Sequence, residues 1–261
     1  MIDLHNHLLP AVDDGASSMD VTRLMLARSA ELGYRTIVAT PHLHDRLAGD
    51  YRMAVETRLA AVRHEAGPYG ISVIGGYEVF LSPDLPRRLE AGEPATIAGT
   101  QAILVELPFV GWPTYTEATI FALQAAGYRP ILAHPERYRA VQEQPDLAIA
   151  LARRGVQLQL TLRSLTGSSR RIQKVSTRLL EAGAITLVAS DAHGDDHRLA
   201  AVPDALRRLE QIVGRERGDR IVNRNPVAIL SGDDIALIEQ AGQGDLQRRP
   251  RRWWPIGRST R

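Results

Sequence analysis

The chain begins MIDLHNHLLPAVDDG, and its first residues already carry unusual chemistry. His5 and His7 stand two apart. On a strand, positions i and i+2 point to the same side, so two imidazoles could meet at one point. Imidazole is the commonest metal ligand, although a lone His-x-His also reads as two ordinary surface histidines. Asp13 and Asp14 follow within ten residues. Further candidates recur along the chain: His42 in TPHLHD, Glu78 in GGYEVF, Glu106 in VELP, His134 in LAHPER, and Asp191 and His193 in ASDAH. Five histidines with three or four carboxylates and no cysteine suit zinc, manganese or iron rather than a thiolate site. One ion takes about four to six ligands, so the set is enough for two or three ions. Metals held together in this way activate water and clamp an in-line phosphoryl displacement, which makes phosphoester hydrolysis the default chemistry.

Positioning such a set requires a scaffold that gathers distant residues. Short apolar runs suggest strands at 2–5, 36–40, 71–76, 102–107, 130–134, 156–161 and 185–190. They are continuous rather than alternating, as expected of parallel strands buried on both faces. Helix-like segments lie between them. The first reads SSMDVTRLMLARSAELG, with a serine N-cap, an apolar face of Val21, Leu24, Met25 and Leu32, and Gly33 as the stop. Others cover about 50–66, 115–127, 145–154, 170–183 and 199–213. Strand–helix alternation implies an α/β fold with a parallel sheet, open or closed into a barrel. Six of the seven strands end in a histidine, aspartate or glutamate. In parallel folds these ends share one rim, where active sites form. Any one residue could be a cap. Together they would be costly to bury unpaired, which favours a metal centre.

Composition narrows the classes. Without cysteine there is no disulfide and no cysteine nucleophile. Hydrolysis is therefore expected by direct attack of water, without a phospho-enzyme. No run approaches a membrane span, no signal peptide is visible, and a cytoplasmic protein is expected. The net charge of +2 is uneven: residues 248–261 carry six arginines and no acid, leaving −4 on the remainder. A mildly acidic body argues against a nucleic-acid groove. Lys174 is the single lysine, which reads as base composition. There is no G-x-G-x-x-G or G-x-x-x-x-G-K loop.

Seven stretches, MIDLHNHLLPAVDDG, TIVATPH, GYEVF, AILVELP, PILAHPERY, LVASDAHGDDHR and NRNPVAIL, resemble the PHP (polymerase and histidinol phosphatase) superfamily over residues 1–232. Within it the chain resembles the manganese-dependent protein-tyrosine phosphatases of bacterial capsule and exopolysaccharide loci. The resemblance implies a distorted seven-stranded (β/α) barrel, TIM-barrel-like, and a trinuclear site. His5, His7 and Asp191 would hold one ion, with Glu78 bridging. Glu106 and His134 would complete the second; Asp14, His42 and His193 would hold the third. Asp13 is left as a neighbour. Arg137 and Arg198 would bind the substrate phosphate, a role that suits the planar guanidinium fork. His44 and His64 read as solvated and His197 as a neighbour of the ligands. Where relatives have a small turn after the sixth strand, this chain has TLRSLTG, with Arg163 either at the rim or in solvent.

The leading function is dephosphorylation of phosphotyrosine on a protein, a bacterial tyrosine kinase regulating polysaccharide export, with two or three Mn²⁺ ions (iron or zinc as alternatives). A small-molecule phosphatase such as histidinol phosphatase is the alternative enzyme, and a non-catalytic PHP scaffold the alternative class. The domain is expected over 1–246. The tail, 247–261, is expected to be disordered, Pro250 and Pro255 breaking any helix. Its arginines with Trp253 and Trp254 would alternatively suit peripheral contact with the inner membrane face.

Overall fold

The computed structural model describes residues 1–43, 49–194 and 197–235. His44, the boundary at 246 and the tail lie outside them. Among the described residues nine strands form: β1 (Ile2–Asn6), β2 (Thr36–Ala39), β3 (His42–Leu43), β4 (Ser72–Gly75), β5 (Glu78–Phe80), β6 (Ala102–Glu106), β7 (Arg129–Ala133), β8 (Gln157–Thr161) and β9 (Leu187–Ala189). Every pairing is parallel. One sheet has the order β1-β2-β4 and the other β3-β5-β6-β7-β8-β9. The α/β architecture with parallel sheets is thus as expected. The distorted seven-stranded barrel is not what the ladders form: among the described residues there are two sheets, and neither closes on itself.

The extra strands have a local cause. Ala39 pairs with Gly75 and His42 with Glu78, so the register continues unchanged across the step between the sheets. The ladder breaks at Thr40-Pro41 and Gly76-Tyr77. Pro41 has no N–H to donate. Gly76 lies so close to Val38 that a Cβ there would stand 3.0 Å from Val38 Cγ1. One long pair of strands is thereby cut into two short ones. At the far edge, β9 runs back to β1. Asp191 N donates to His5 O, His7 N donates to Ala192 O, and Asn6 bridges Ala192.

Alternation along the strands feeds two cores. Leu4, Val38, Leu104, Ile131 and Leu187 pack together with Ile97 and Ile229. Ile37, Ile103, Val105, Leu132, Leu158 and Val188 belong to the larger core, which the helices cover. The helix Met19–Glu31 starts where Ser18 Oγ accepts from Val21 N, and Gly33 follows it at φ +88°. Its buried face is Thr22, Met25, Leu26 and Ser29; Leu24, expected on that face, is 53% exposed. The spacing i, i+3, i+4, i+7 runs from Thr22 because its hydroxyl reaches Leu8 O, at 2.8 Å. The other predicted helices form as Gly49–Ala66, Thr116–Ala125, Asp146–Arg153, Arg170–Glu181 and Val202–Val213. The stretch expected at 199–213 is preceded by a short turn of helix at His197–Ala200, and the shorter helices at Leu85–Glu90, Arg139–Glu143 and beyond residue 214 add to the expected set. No described helix is long and apolar enough to cross a membrane.

Candidate metal centre

Strand β1 delivers His5 and, one residue past its end, His7. Both are fully buried, with Nε2 atoms 3.1 Å apart. His42 opens β3, Glu78 opens β5, and Glu106 closes β6. His134 and Asp191 follow β7 and β9, and both take left-handed backbone, at φ +33° and +52°. Such strain in a non-glycine residue persists only where its surroundings impose it, and it gathers at functional sites. The loop after β1 folds back through Ala16 N to His7 O, bringing Asp13 and Asp14 over the strand end.

All nine predicted ligands lie in one cluster. Glu78 Oε2 stands 3.1 Å from His5 Nε2, 3.3 Å from His7 Nε2 and 3.2 Å from His42 Nδ1. Its Oε1 stands 2.8 Å from His134 Nε2. Asp191 Oδ1 is 3.5 Å from His5 and from His193, and Asp14 Oδ1 lies 3.4 Å from His42 and 3.3 Å from His193. Four overlapping groups have donor atoms close enough to share an ion: His5-His7-Asp191, His5-Glu78-His134, His42-Glu78-Glu106 and His7-Asp14-His42-His193. Two of these contain the expected sets His5-His7-Asp191 and Asp14-His42-His193. Glu106 groups with His42 and Glu78, and His134 with His5 and Glu78, so Glu78 stands between the two residues expected to complete the second ion.

Two residues outside the predicted ligand set orient the imidazoles: Asp13, expected only as a neighbour, and Gln159, which the sequence did not single out. Asp13 Oδ2 accepts from His7 Nδ1 at 2.7 Å and from His42 N at 3.1 Å, and Asp13 Oδ1 accepts from Gly15 N. Gln159 Oε1 accepts from His5 Nδ1 at 2.8 Å. With N–H at Nδ1 in both neutral rings, both Nε2 lone pairs point at carboxylate oxygens. A cation at their meeting point resolves that arrangement, so the donor set fits divalent metals of the zinc, manganese and iron type. Gln157 and Gln159 were polar residues in a strand buried on both faces, the one signal available for this role. Within the DDG pair, the choice of Asp14 as ligand and Asp13 as neighbour came from the family resemblance, and Asp14 is the one whose carboxylate lies among the cluster's donor atoms.

A proton competes for the same point. Burial pushes His7 down, but Asp13 and Glu78 outweigh it and raise the imidazole to about 10. Burial likewise opposes charge on Glu78, yet His5, His134 and His7 hold its carboxyl well below the usual range. Asp191 falls to about 2 against the same penalty, through His5, His134 and Arg198. His193 goes the other way, to about 4, from burial and then the charge of His7.

The two arginines meet at Asp191. Arg137 Nη1 donates to Oδ2 at 2.7 Å, while Arg198 Nη1 lies 3.1 Å from Oδ1 and also contacts the Asp191 carbonyl. The half-exposed Phe109 ring covers the Arg137 guanidinium at 4.8 Å and borders His134 at 5.7 Å; nothing in the sequence marked it. Glu136 is buried in the same turn, accepting from Thr161 N and Ser164 Oγ and so fastening the loop after β8. Beneath the site, Asp3 accepts from Ser190 N and Asn6 Nδ2, tying β1 to β9. His64 and His197 are exposed, and the Arg163 side chain packs over Gly167 of its own loop.

This chain has well-defined relatives. YwqE of Bacillus subtilis, a tyrosine-protein phosphatase, is 36% identical over 226 residues, covering 83% of this chain and 86% of YwqE. CpsB of Streptococcus agalactiae, also a tyrosine-protein phosphatase, is 26% identical over 244 residues, covering 90% of this chain and all of CpsB. A chain from the crystal structures of YwqE from Bacillus subtilis and CpsB from Streptococcus pneumoniae, described as metal-dependent tyrosine phosphatases, superposes with a TM-score of 0.86 at 33% identity. It covers 91% of this chain and 97% of its own. The model of capsular polysaccharide synthesis proteins CpsB/CapC matches residues 1–231. With that span matched and relatives so similar over most of both lengths, the chain belongs to the CpsB/CapC family.

Proposed function

We propose that this protein is a metal-dependent protein-tyrosine phosphatase. The observation that carries the reading is the buried convergence of His5, His7, Asp14, His42, Glu78, Glu106, His134, Asp191 and His193, with two arginines on its rim. These nine are the ligands in our reading, holding two or three ions with Mn²⁺ as the native metal; iron and zinc suit the same donors. When bound, the ions supply Lewis-acid charge to the attacking water and the phosphoryl oxygens. The protein's own groups do the rest. Asp13 and Gln159 fix the rings of His7 and His5. Arg137 and Arg198, both on the rim at Asp191, grip the phosphate and its developing charge in this reading, a task that suits the planar guanidinium fork.

An aromatic substrate ester is favoured over a small alkyl phosphate by Phe109. Its ring, 44% exposed beside Arg137, is an apolar seat for a phenyl group at the place where the phosphate would be held. The phenol also leaves with a pKa of about 10, asking less of a proton donor than an aliphatic alcohol does. The family's link to capsular polysaccharide synthesis supports a tyrosine kinase governing polysaccharide export as the physiological substrate. We read the kinked β2/β3 and β4/β5 as single passes of a distorted seven-stranded barrel, and assign residues 1–246 to the phosphatase domain.

The test is kcat/KM on a phosphotyrosine peptide against histidinol phosphate with Mn²⁺ present. The peptide is expected to be the better substrate, and Phe109→Ala to erode that preference. A clear preference for histidinol phosphate would replace this reading with a small-molecule phosphatase.

A further inference from the structure

A cavity of about 1030 Å³ lies away from the metal cluster, between the helix Arg170–Glu181 and the segment 142–145, with Arg208 on its border. Its charge is lopsided. Arg170, Arg171, Lys174, Arg178 and Arg208 line it, against Glu143 and Glu181. Arg171 reaches Glu143 at 3.4 Å, and Arg208 finds the neutral Gln211. Among the described residues, no carboxylate pairs with Arg170, Lys174, Arg178 or Arg208. The chain outside its tail carries −4, so this concentration of positive charge runs against the molecule's balance. Arg170, Lys174 and Arg178 are spaced i, i+4, i+8 and therefore share one helix face.

Leu165 and Val175, both buried, supply apolar contact within the groove. Among the described residues no aromatic side chain lines it, so they offer no platform for stacked bases. A recessed groove also suits a chain better than a flat bilayer. Its position is informative. Gln142, on its wall, donates through Nε2 to the carbonyls of Glu136 and Arg137. The groove therefore shares one short segment with the arginine on Asp191.

We propose that this groove docks an acidic stretch of the substrate polypeptide adjoining its phosphotyrosine, a role that rests on the phosphatase reading of the metal centre. From Arg170 to Arg178 the helix rises about 12 Å, which an extended peptide spans in about four residues. The favoured substrate thus has acidic side chains spread over about four positions on one flank of the tyrosine. Contacts of this kind steer association and raise affinity in a salt-dependent way, without touching the chemical step.

The experiment compares phosphotyrosine peptides bearing an acidic flank with peptides whose flank is serine. The enzymes are the full-length wild type and Lys174→Glu/Arg178→Glu, both loaded with Mn²⁺, with p-nitrophenyl phosphate as a flankless control. The wild type should show a KM about tenfold lower for the acidic peptide at similar kcat, an advantage that shrinks as salt rises. The double variant should lose that advantage while keeping its melting temperature and its kcat/KM on p-nitrophenyl phosphate. An undiminished preference for the acidic peptide in the variant would overturn the proposal. So would unchanged peptide KM values accompanied by lost binding to anionic vesicles, which would assign the groove to lipid. Fluorescence anisotropy with the unphosphorylated acidic peptide separates the two readings. Binding by the wild type and not by the variant, without turnover of any phosphotyrosine substrate, would keep the docking groove and remove the phosphatase.

Discussion

Asp13 grips His7 from outside the cluster while Glu78 faces it from within, and the two acids together raise the imidazole to about 10. Metal must displace that proton. Mn²⁺ binding after chelation should therefore release protons and tighten as pH rises from 6 to 8, measurable by calorimetry in buffers of different ionisation enthalpy. Stability of the chelated protein follows the same groups. The His7 contribution is full below its ordinary 6.5 and fades as pH climbs through about 10, whereas His193, held at about 4, costs stability once pH falls below 6.5. Melting scans from pH 5 to 10 with and without Mn²⁺ should show the metal's benefit growing with pH. Because Asp13 orients a ring without joining the predicted set, Asp13→Asn should weaken metal affinity about 10- to 100-fold, with kcat recovering at saturating Mn²⁺. Arg137→Ala and Arg198→Ala should each cut kcat/KM by about 10²-fold at unchanged metal content, as loss of one anion-stabilising donor does. The side chains that meet in the cluster were legible because their types stood at strand ends. The roles of Asp13 and Phe109 were not: they depend on how a loop folds back and which ring leans over Arg137.

Elements explain why those ends meet. The seven apolar runs became strands, with boundaries shifted by a residue or two. The additional β3 and β5 are too short to show periodicity, and their existence turns on Pro41 and the crowding at Gly76. Leu24 misled the helix reading because Thr22, fixed by its bond to Leu8 O, sets the buried face. The loop after β1 is closely packed at Gly15. A Cβ on Gly15 would stand 2.1 Å from His7 O and 2.5 Å from His7 Cβ, and a backbone carbonyl cannot move aside like a side-chain tip. Gly15→Ala should therefore displace Asp13 and Asp14 together, lowering both the melting temperature and the bound metal. Metal retained at wild-type stoichiometry and affinity would show that the loop does not position the site.

At the scale of the molecule, parallel α/β order was readable from the alternation of strand and helix, whereas the split into two sheets was not. Net charge was a poor guide: a body of −4 concealed the groove of Arg170, Lys174 and Arg178, because composition averages over faces that only packing separates. The left-handed turns at His134 and Asp191 are equally invisible to pattern, yet one follows β7 beside Glu106-bearing β6, and the other bonds through Asp191 N to His5 O on β1. The central claim is that this cluster, gathered from most of the strands, is where divalent metal sits. Anomalous diffraction at the manganese absorption edge, from crystals of Mn²⁺-loaded and catalytically active protein, tests it most directly. The account predicts anomalous peaks among His5, His7, Asp14, His42, Glu78, Glu106, His134, Asp191 and His193, removed by chelation together with phosphatase activity. Active protein whose anomalous peaks lie elsewhere, or whose turnover survives complete removal of metal, would contradict it.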